Sequence, residues 1–159
     1  MQTISETEKQ IAKPMHLEAL HKTFWAQFAK IPDWAMSLLA RFAVAGIFWR
    51  SGQTKVTGWE LNEFTFETEY DLPLIPFKAA AYMATFAEHF FPFLLVIGLA
   101  TRLSAGALLV MTLVIQIFVY PMSWPDHAIW ALAMLFIMSR GPGILSLDHL
   151  FKTKICDCK

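Results

Sequence analysis

Apolar positions along this chain run together rather than alternate, except near the amino terminus. Residues 1–14 are polar and are expected to be mobile. From Met15 the apolar residues Leu17, Leu20, Phe24, Phe28 and Ile31 step by 3, 4, 4 and 3, and His16, Glu18, His21, Lys22, Gln27 and Lys30 mostly occupy the other faces. That spacing predicts an amphipathic helix over 15–31, lying on a membrane surface. Beyond the Pro32-Asp33 break, long apolar runs predict four spans at about 34–50, 77–100, 103–120 and 125–140. Gly98 and Thr101-Arg102, then Pro121, then Ser139-Arg140-Gly141-Pro142-Gly143 supply the stops. A short amphipathic tail over 147–159, with Leu147, Leu150, Phe151 and Ile155, follows the membrane domain of 32–146. The expected fold class is an all-α integral membrane four-helix bundle with an N-terminal interfacial helix and a periplasmic loop between spans one and two.

Composition agrees with the pattern. At 56% hydrophobic, 14% aromatic and 16% charged residues, the chain is too apolar for a soluble domain of its size. A formal net charge of zero removes the main reason to expect nucleic-acid binding. The first thirty residues show no basic segment leading into an apolar core, so no cleavable signal peptide is expected. Lys9, Lys13, Lys22, Lys30, Arg102, Arg140, Lys152, Lys154 and Lys159 fall on one side of the spans, whereas only Arg50, Lys55 and Lys78 fall on the other. Positive charge stays inside, so both termini are expected in the cytoplasm and the protein in a bacterial inner membrane, as a multi-pass chain.

The first and fourth spans, at about 16 residues or about 24 Å, are short against a hydrocarbon core of about 30 Å. Either they extend past these boundaries or the bilayer thins around them. The exported stretch of about 51–76 has Phe64, Phe66 and Tyr70 interleaved with Glu63, Glu67 and Glu69, which suggests an extended, lid-like segment.

Candidate chemistry lies within the spans. Glu88 sits midway along the second run with Pro92 four residues on, which deprives the Glu88 carbonyl of its helical hydrogen bond and predicts a kink. A charge at such depth costs about 2.5–3.5 kcal/mol on insertion scales and is normally paired or functional. Counting about 1.5 Å per residue from the cytoplasmic ends places Arg41 at roughly 10 Å, Glu88 at roughly 18 Å and Gln116 at roughly 21 Å. A buried Arg41–Glu88 pair with Gln116 on its level is therefore expected, either as a ligand-binding or proton-coupling centre or as a static interhelical clasp. His89 is a proton-path candidate, although it points about 100° away from Glu88. At the outer face Trp49, Tyr120, Trp124, Asp126, His127 and Trp130 form either an aromatic belt or a ligand pocket. Cys156 and Cys158 could share one Cu(I) or Zn(II) ion, be oxidised to a strained small-ring disulfide or remain reduced thiols; His149 is a distant third ligand candidate. No nucleotide loop, zinc-protease pair, haem-attachment motif or serine elbow is present.

Several groups of residues together resemble one family. They are Arg41 with Gly46 and Phe48; Ala87-Glu88 with Leu95, Gly98 and Thr101-Arg102; and Arg140-Gly141-Pro142-Gly143 with Ser146-Leu147-Asp148. The stretches Glu67-Thr68-Glu69-Tyr70-Asp71-Leu72-Pro73-Leu74 and Met111-Thr112-Leu113-Val114-Ile115-Gln116, with Trp124-Pro125, point to one proteobacterial branch. From about Trp34 to Phe151 the chain resembles the DoxX family of four-helix bacterial membrane proteins. The family name comes from a subunit of a thiosulfate to quinone oxidoreductase, and the branch is associated with metal-stress gene sets. The resemblance implies a redox-associated subunit holding a quinone or similar apolar ligand near Arg41, Glu88 and Gln116, with a redox or metal-handling protein as partner. An adaptor or metal-stress component using the thiol-bearing tail, and a small-solute or lipid transporter with Glu88 as its coupling acid, are the alternatives. A homo-oligomer is a further candidate state.

Overall fold

The structure is a computed structural model that describes residues 21, 22, 24–26, 30–70 and 75–156, with side chains as far as Thr153. It divides into two units, Met1–Pro32 and Asp33–Lys159. In the first, the described residues 21–22 and 24–26 are helical, and the Trp25 indole N–H donates to His21 Nε2 at 2.7 Å, one turn earlier. The remainder of the interfacial helix expected over 15–31 lies outside the described residues, apart from 30 and 31, which are non-helical. The mobile stretch expected over 1–14 also lies outside them.

The second unit is helical, with no strand among the described residues. It contains α1 (Asp33–Thr57), α2 (Trp59–Thr65) continued by a π-helical turn (Phe66–Tyr70), α3 (Phe77–Ile97), α4 (Thr101–Phe118), a 3-10 turn (Pro121–Ser123), α5 (Trp124–Arg140) and α6 (Leu147–Cys156). Helix α3 continues past Pro92, which is buried. Helices α1 and α4 each pack on both α3 and α5. All four contribute to one core of Val44, Ala45, Phe48, Leu95, Ala105, Leu108, Met134 and Ile137.

The stretch after Trp49 differs from its expected form in two respects. The first long helix does not stop near residue 50: it has 25 residues, about 37 Å, which exceeds a hydrocarbon thickness of about 30 Å. Its polar last turns, read as loop, stay helical because they pack: Ser51 and Lys55 lie one turn apart on one face, and Gly52 is buried against α3. The acidic aromatic stretch is also helical rather than extended. Phe66 is buried with Ala80 and Ala81 of α3, flanked by Trp59, Tyr70 and Phe77. Burial of that ring on α3 overrides the period-two pattern.

Large apolar side chains cover the outer surface of the long helices, among them Leu39, Phe42, Phe86, Leu103, Ile117, Ile129 and Leu132. Helices α3 and α4 are long and apolar enough to cross a membrane, yet only 33% and 28% of their most apolar windows are buried. The core helix of a soluble protein would bury most of that surface. Here the apolar side faces outward, as lipid contact requires.

Candidate functional site

Glu88, 2% exposed, is ion-paired with Lys55 rather than with Arg41. Lys55 Nζ lies 2.7 Å from Oε1 and 2.8 Å from Oε2, and also donates to Ser51 Oγ at 3.0 Å. The Ser51 hydroxyl in turn donates to Glu88 Oε1 at 3.1 Å. The ammonium's three protons are thereby all engaged, two of them by the carboxylate. Close approach of the helices makes this possible. A Cβ at Gly52 would stand 2.5 Å from His89 Cε1 and 3.2 Å from Glu88 Cβ, so α1 meets α3 there only without a side chain. The sequence carries one signal for Lys55: a first span that extends past residue 50, one of the two alternatives its short length left, places Lys55 one turn beyond Ser51.

Next to this pair lies a cavity of about 220 Å³. Its walls are almost wholly apolar, from Ala80, Met83, Ala84 and Ala87 of α3, Met111, Val114 and Ile115 of α4, and Phe66 and Tyr70 of the turn after α2. Tyr70 stacks on Phe66 with ring centroids 4.1 Å apart and meets the Tyr120 ring edge-on at 6.2 Å. Burial, then the nearby Tyr120, Glu88 and Glu69, push the Tyr70 phenol well above its ordinary range, so it stays protonated. Its hydroxyl has no hydrogen-bond partner among the described residues. Tyr120 donates to Glu69 Oε2 at 2.7 Å, fixing the turn over the end of α4; that bond, then burial, raises the Tyr120 pKa as well.

Arg41, 1% exposed, does something else. Its Nε donates to the Leu95 carbonyl at 2.7 Å and its Nη2 to the Val96 carbonyl at 2.8 Å, while Nη1 donates to Pro142 and Leu145 carbonyls at 2.9 and 2.8 Å. The first two are carbonyls at the end of α3 that have no intrahelical donor, where a cation is favoured. The guanidinium thus caps α3 and fastens the α5–α6 connection to it. Around it Gly98 turns with φ +73°, and a Cβ there would stand 2.7 Å from Arg41 Nη2 and 2.5 Å from Ser146 Cβ. Asp148 accepts the Ala100 and Thr101 amides at 2.8 and 2.9 Å, capping α4, while its own amide donates to Gly98 O at 2.9 Å. The Ser37 hydroxyl donates to Gly141 O at 2.6 Å. The expected Arg41–Glu88 pair therefore does not form. Backbone carbonyls exposed by helix ends compete for Arg41, and Lys55 is the closer cation for Glu88.

Gln116 bonds neither Arg41 nor Glu88. Its Nε2 donates to Pro121 O at 2.8 Å and its Oε1 accepts from His127 Nδ1 at 2.6 Å, which fixes that ring as the Nδ1–H form. His127 is buried, edge-on to Trp130 at 5.1 Å, so this polar link joins α4 to α5. Of the other outer-face candidates, Tyr120, Trp124 and Asp126 are exposed at the ends of α4 and α5. His89 donates from Nδ1 to the Thr85 carbonyl at 2.7 Å and accepts at Nε2 from Gln53 at 3.0 Å, with Trp49 edge-on at 5.1 Å. It ties α3 to α1 one position away from the Lys55–Glu88 pair. Cys156 ends α6, and Cys158 lies outside the described residues. Among the described residues, no three of His, Cys, Asp and Glu gather as metal ligands.

An all-helical unit with an apolar exterior, internal ion pairing and helix ends locked by a buried arginine defines a helical membrane protein. Its family follows from comparison: the DoxX family model matches residues 36–121, and the chain belongs to the DoxX family. An uncharacterised protein of Haemophilus influenzae is 31% identical over 125 residues, covering 72% of this chain and 82% of that relative. No solved structure matches the chain.

Proposed function

We propose that the protein is a multi-pass inner-membrane subunit that holds a quinone or a similar single-ring apolar ligand in the cavity beside Lys55 and Glu88, in the service of a redox partner. In this reading α1, α3, α4 and α5 each cross the bilayer with both termini in the cytoplasm. The count of Lys and Arg on the two sides supports that orientation. The carrying observation is one apolar cavity that combines an ion pair with an unpartnered, protonated phenol. Pockets for drug-sized ligands begin at about 300 Å³. A cavity of about 220 Å³ suits one substituted ring, with any tail left among the lipids. Tyr70 supplies a hydrogen-bond donor for a carbonyl of the ligand, and Lys55 supplies positive charge where reduction of the ligand would build negative charge.

The relevant experiment is equilibrium binding of a short-chain benzoquinone to the detergent-purified protein. Saturable binding is expected. It should be abolished by Ala84→Trp, which fills the cavity, and weakened roughly fivefold by Tyr70→Phe, the equivalent of about 1 kcal/mol for one hydrogen bond. Binding that is absent from the parent protein, or indifferent to Ala84→Trp, would remove the proposal.

A further inference from the structure

At the opposite end from Tyr70, the Arg41 clasp leaves a second, larger cavity of about 630 Å³ between the start of α1, the start of α4, the 140–144 connection and α6. Its wall includes three basic side chains, Arg102, Arg140 and Lys152, and two acidic ones, Asp33 and Asp148. Neither carboxylate neutralises the cations fully. Both Asp148 oxygens are taken by backbone amides. The Arg140–Asp33 contact at 3.1 Å is exposed on both sides, and such pairs are weak. Arg102 makes only one long contact, 3.5 Å to the Ser139 carbonyl, and Lys152 has no hydrogen bond or ion pair among the described residues. Thr101, fully buried in the same wall, has a hydroxyl with no hydrogen-bond partner. The rim is apolar: Leu103 is 73% exposed, Ile144 51% and Trp34 37%.

From this combination we infer that the cavity binds a phosphate ester, with Arg102 and Lys152 as its principal ligands and Arg140 adding to the field. A guanidinium held by a single long bond and an ammonium with no bond among the described residues suit phosphate oxygens, the guanidinium through two parallel N–H donors. An apolar rim beside a basic hollow at a helix-bundle end is the arrangement that takes the headgroup of an anionic phospholipid, whose acyl chains then lie along Leu103 and Ile144. The helix end itself is not the site, because Asp148 already occupies the first amides of α4. The inference is independent of the ligand held near Glu88, since the two cavities share no lining residue.

Native mass spectrometry of the full-length protein, titrated in detergent with phosphatidylglycerol or phosphatidylcholine, tests it. Phosphatidylglycerol should be retained in preference to phosphatidylcholine. The Arg102→Gln/Lys152→Gln double variant should weaken that retention by at least about tenfold. Lys78→Gln, at the start of α3 and outside this cavity, should leave it unchanged. Both substituted positions are exposed and make no close side-chain bond, so the double variant should fold; an unchanged melting temperature without added lipid checks this. Glycerol phosphate, added as a competitor, separates the two sources. Displacement of the lipid marks a site for free phosphate esters, and failure to displace it marks a site that needs the acyl chains. Equal retention of the two lipids, or full retention by the double variant, would overturn the assignment.

Discussion

Removing Lys55 should cost far more than the loss of one exposed charge. Lys55→Met leaves Glu88 with the Ser51 hydroxyl as its remaining hydrogen-bond partner, at 2% exposure. Stripping one partner from a buried pair costs about 3–5 kcal/mol, because the remaining charge is uncompensated. The Lys55 side chain is 14% exposed, so some water reaches the pair and the lower end, about 3 kcal/mol, is expected. Glu88→Gln should cost less, about 1–2 kcal/mol, because the lysine stem can carry its ammonium outward. The double variant Lys55→Met/Glu88→Gln removes both charges and should recover part of the loss, giving a coupling energy of about 2 kcal/mol. Equilibrium unfolding in detergent, followed by tryptophan fluorescence and helical circular dichroism, measures all four proteins on one scale. Additive losses, with coupling under about 0.5 kcal/mol, would refute the pairing argument. So would strong coupling of Glu88 to Arg41→Met, since Arg41 donates only to carbonyls.

Two glycines of the same family pattern should respond oppositely to alanine. Gly98→Ala places a Cβ at a positive φ and 2.8 Å from Ser146 Cα, for a loss of about 3 kcal/mol; Gly46→Ala meets nothing within 4 Å and should be neutral or stabilising by up to about 1 kcal/mol, both read as shifts in melting temperature. The Tyr70 and Tyr120 phenols have raised pKa values, so the fold favours their neutral forms. Their contribution to stability is complete below about pH 10, the unfolded value, and disappears as pH climbs through the raised values. A spectrophotometric titration of phenolate should show two tyrosines ionising late, and complete ionisation by about pH 10 would contradict the buried lid.

The sequence by itself determined which stretches are long and apolar, where Pro121, Gly98 and Gly141 stop them, and that the fold class is all-α. Those are local properties: runs of apolar residues and turn chemistry act within a few neighbours, so α3, α4 and α5 were placed to within a few residues. It also singled out the residues that matter most inside the helices, since Arg41 and Glu88 stand out against an apolar background. What it did not contain was who meets whom. Counting depth along separate helices treats each as a ruler and leaves their rotation and ends free. On that basis Arg41 and Glu88 look like partners. Packing decided otherwise, because α1 extends to Thr57 and Gly52 lets it touch α3, bringing Lys55 to Glu88. Arg41 instead found four carbonyls that exist as a cluster only where the end of α3 meets the α5–α6 connection. That Phe66 and Tyr70 belong to a lid-like segment was legible, but its helical form was not, since the same alternating aromatics serve an extended strand or a helical turn until a neighbouring surface buries one of them.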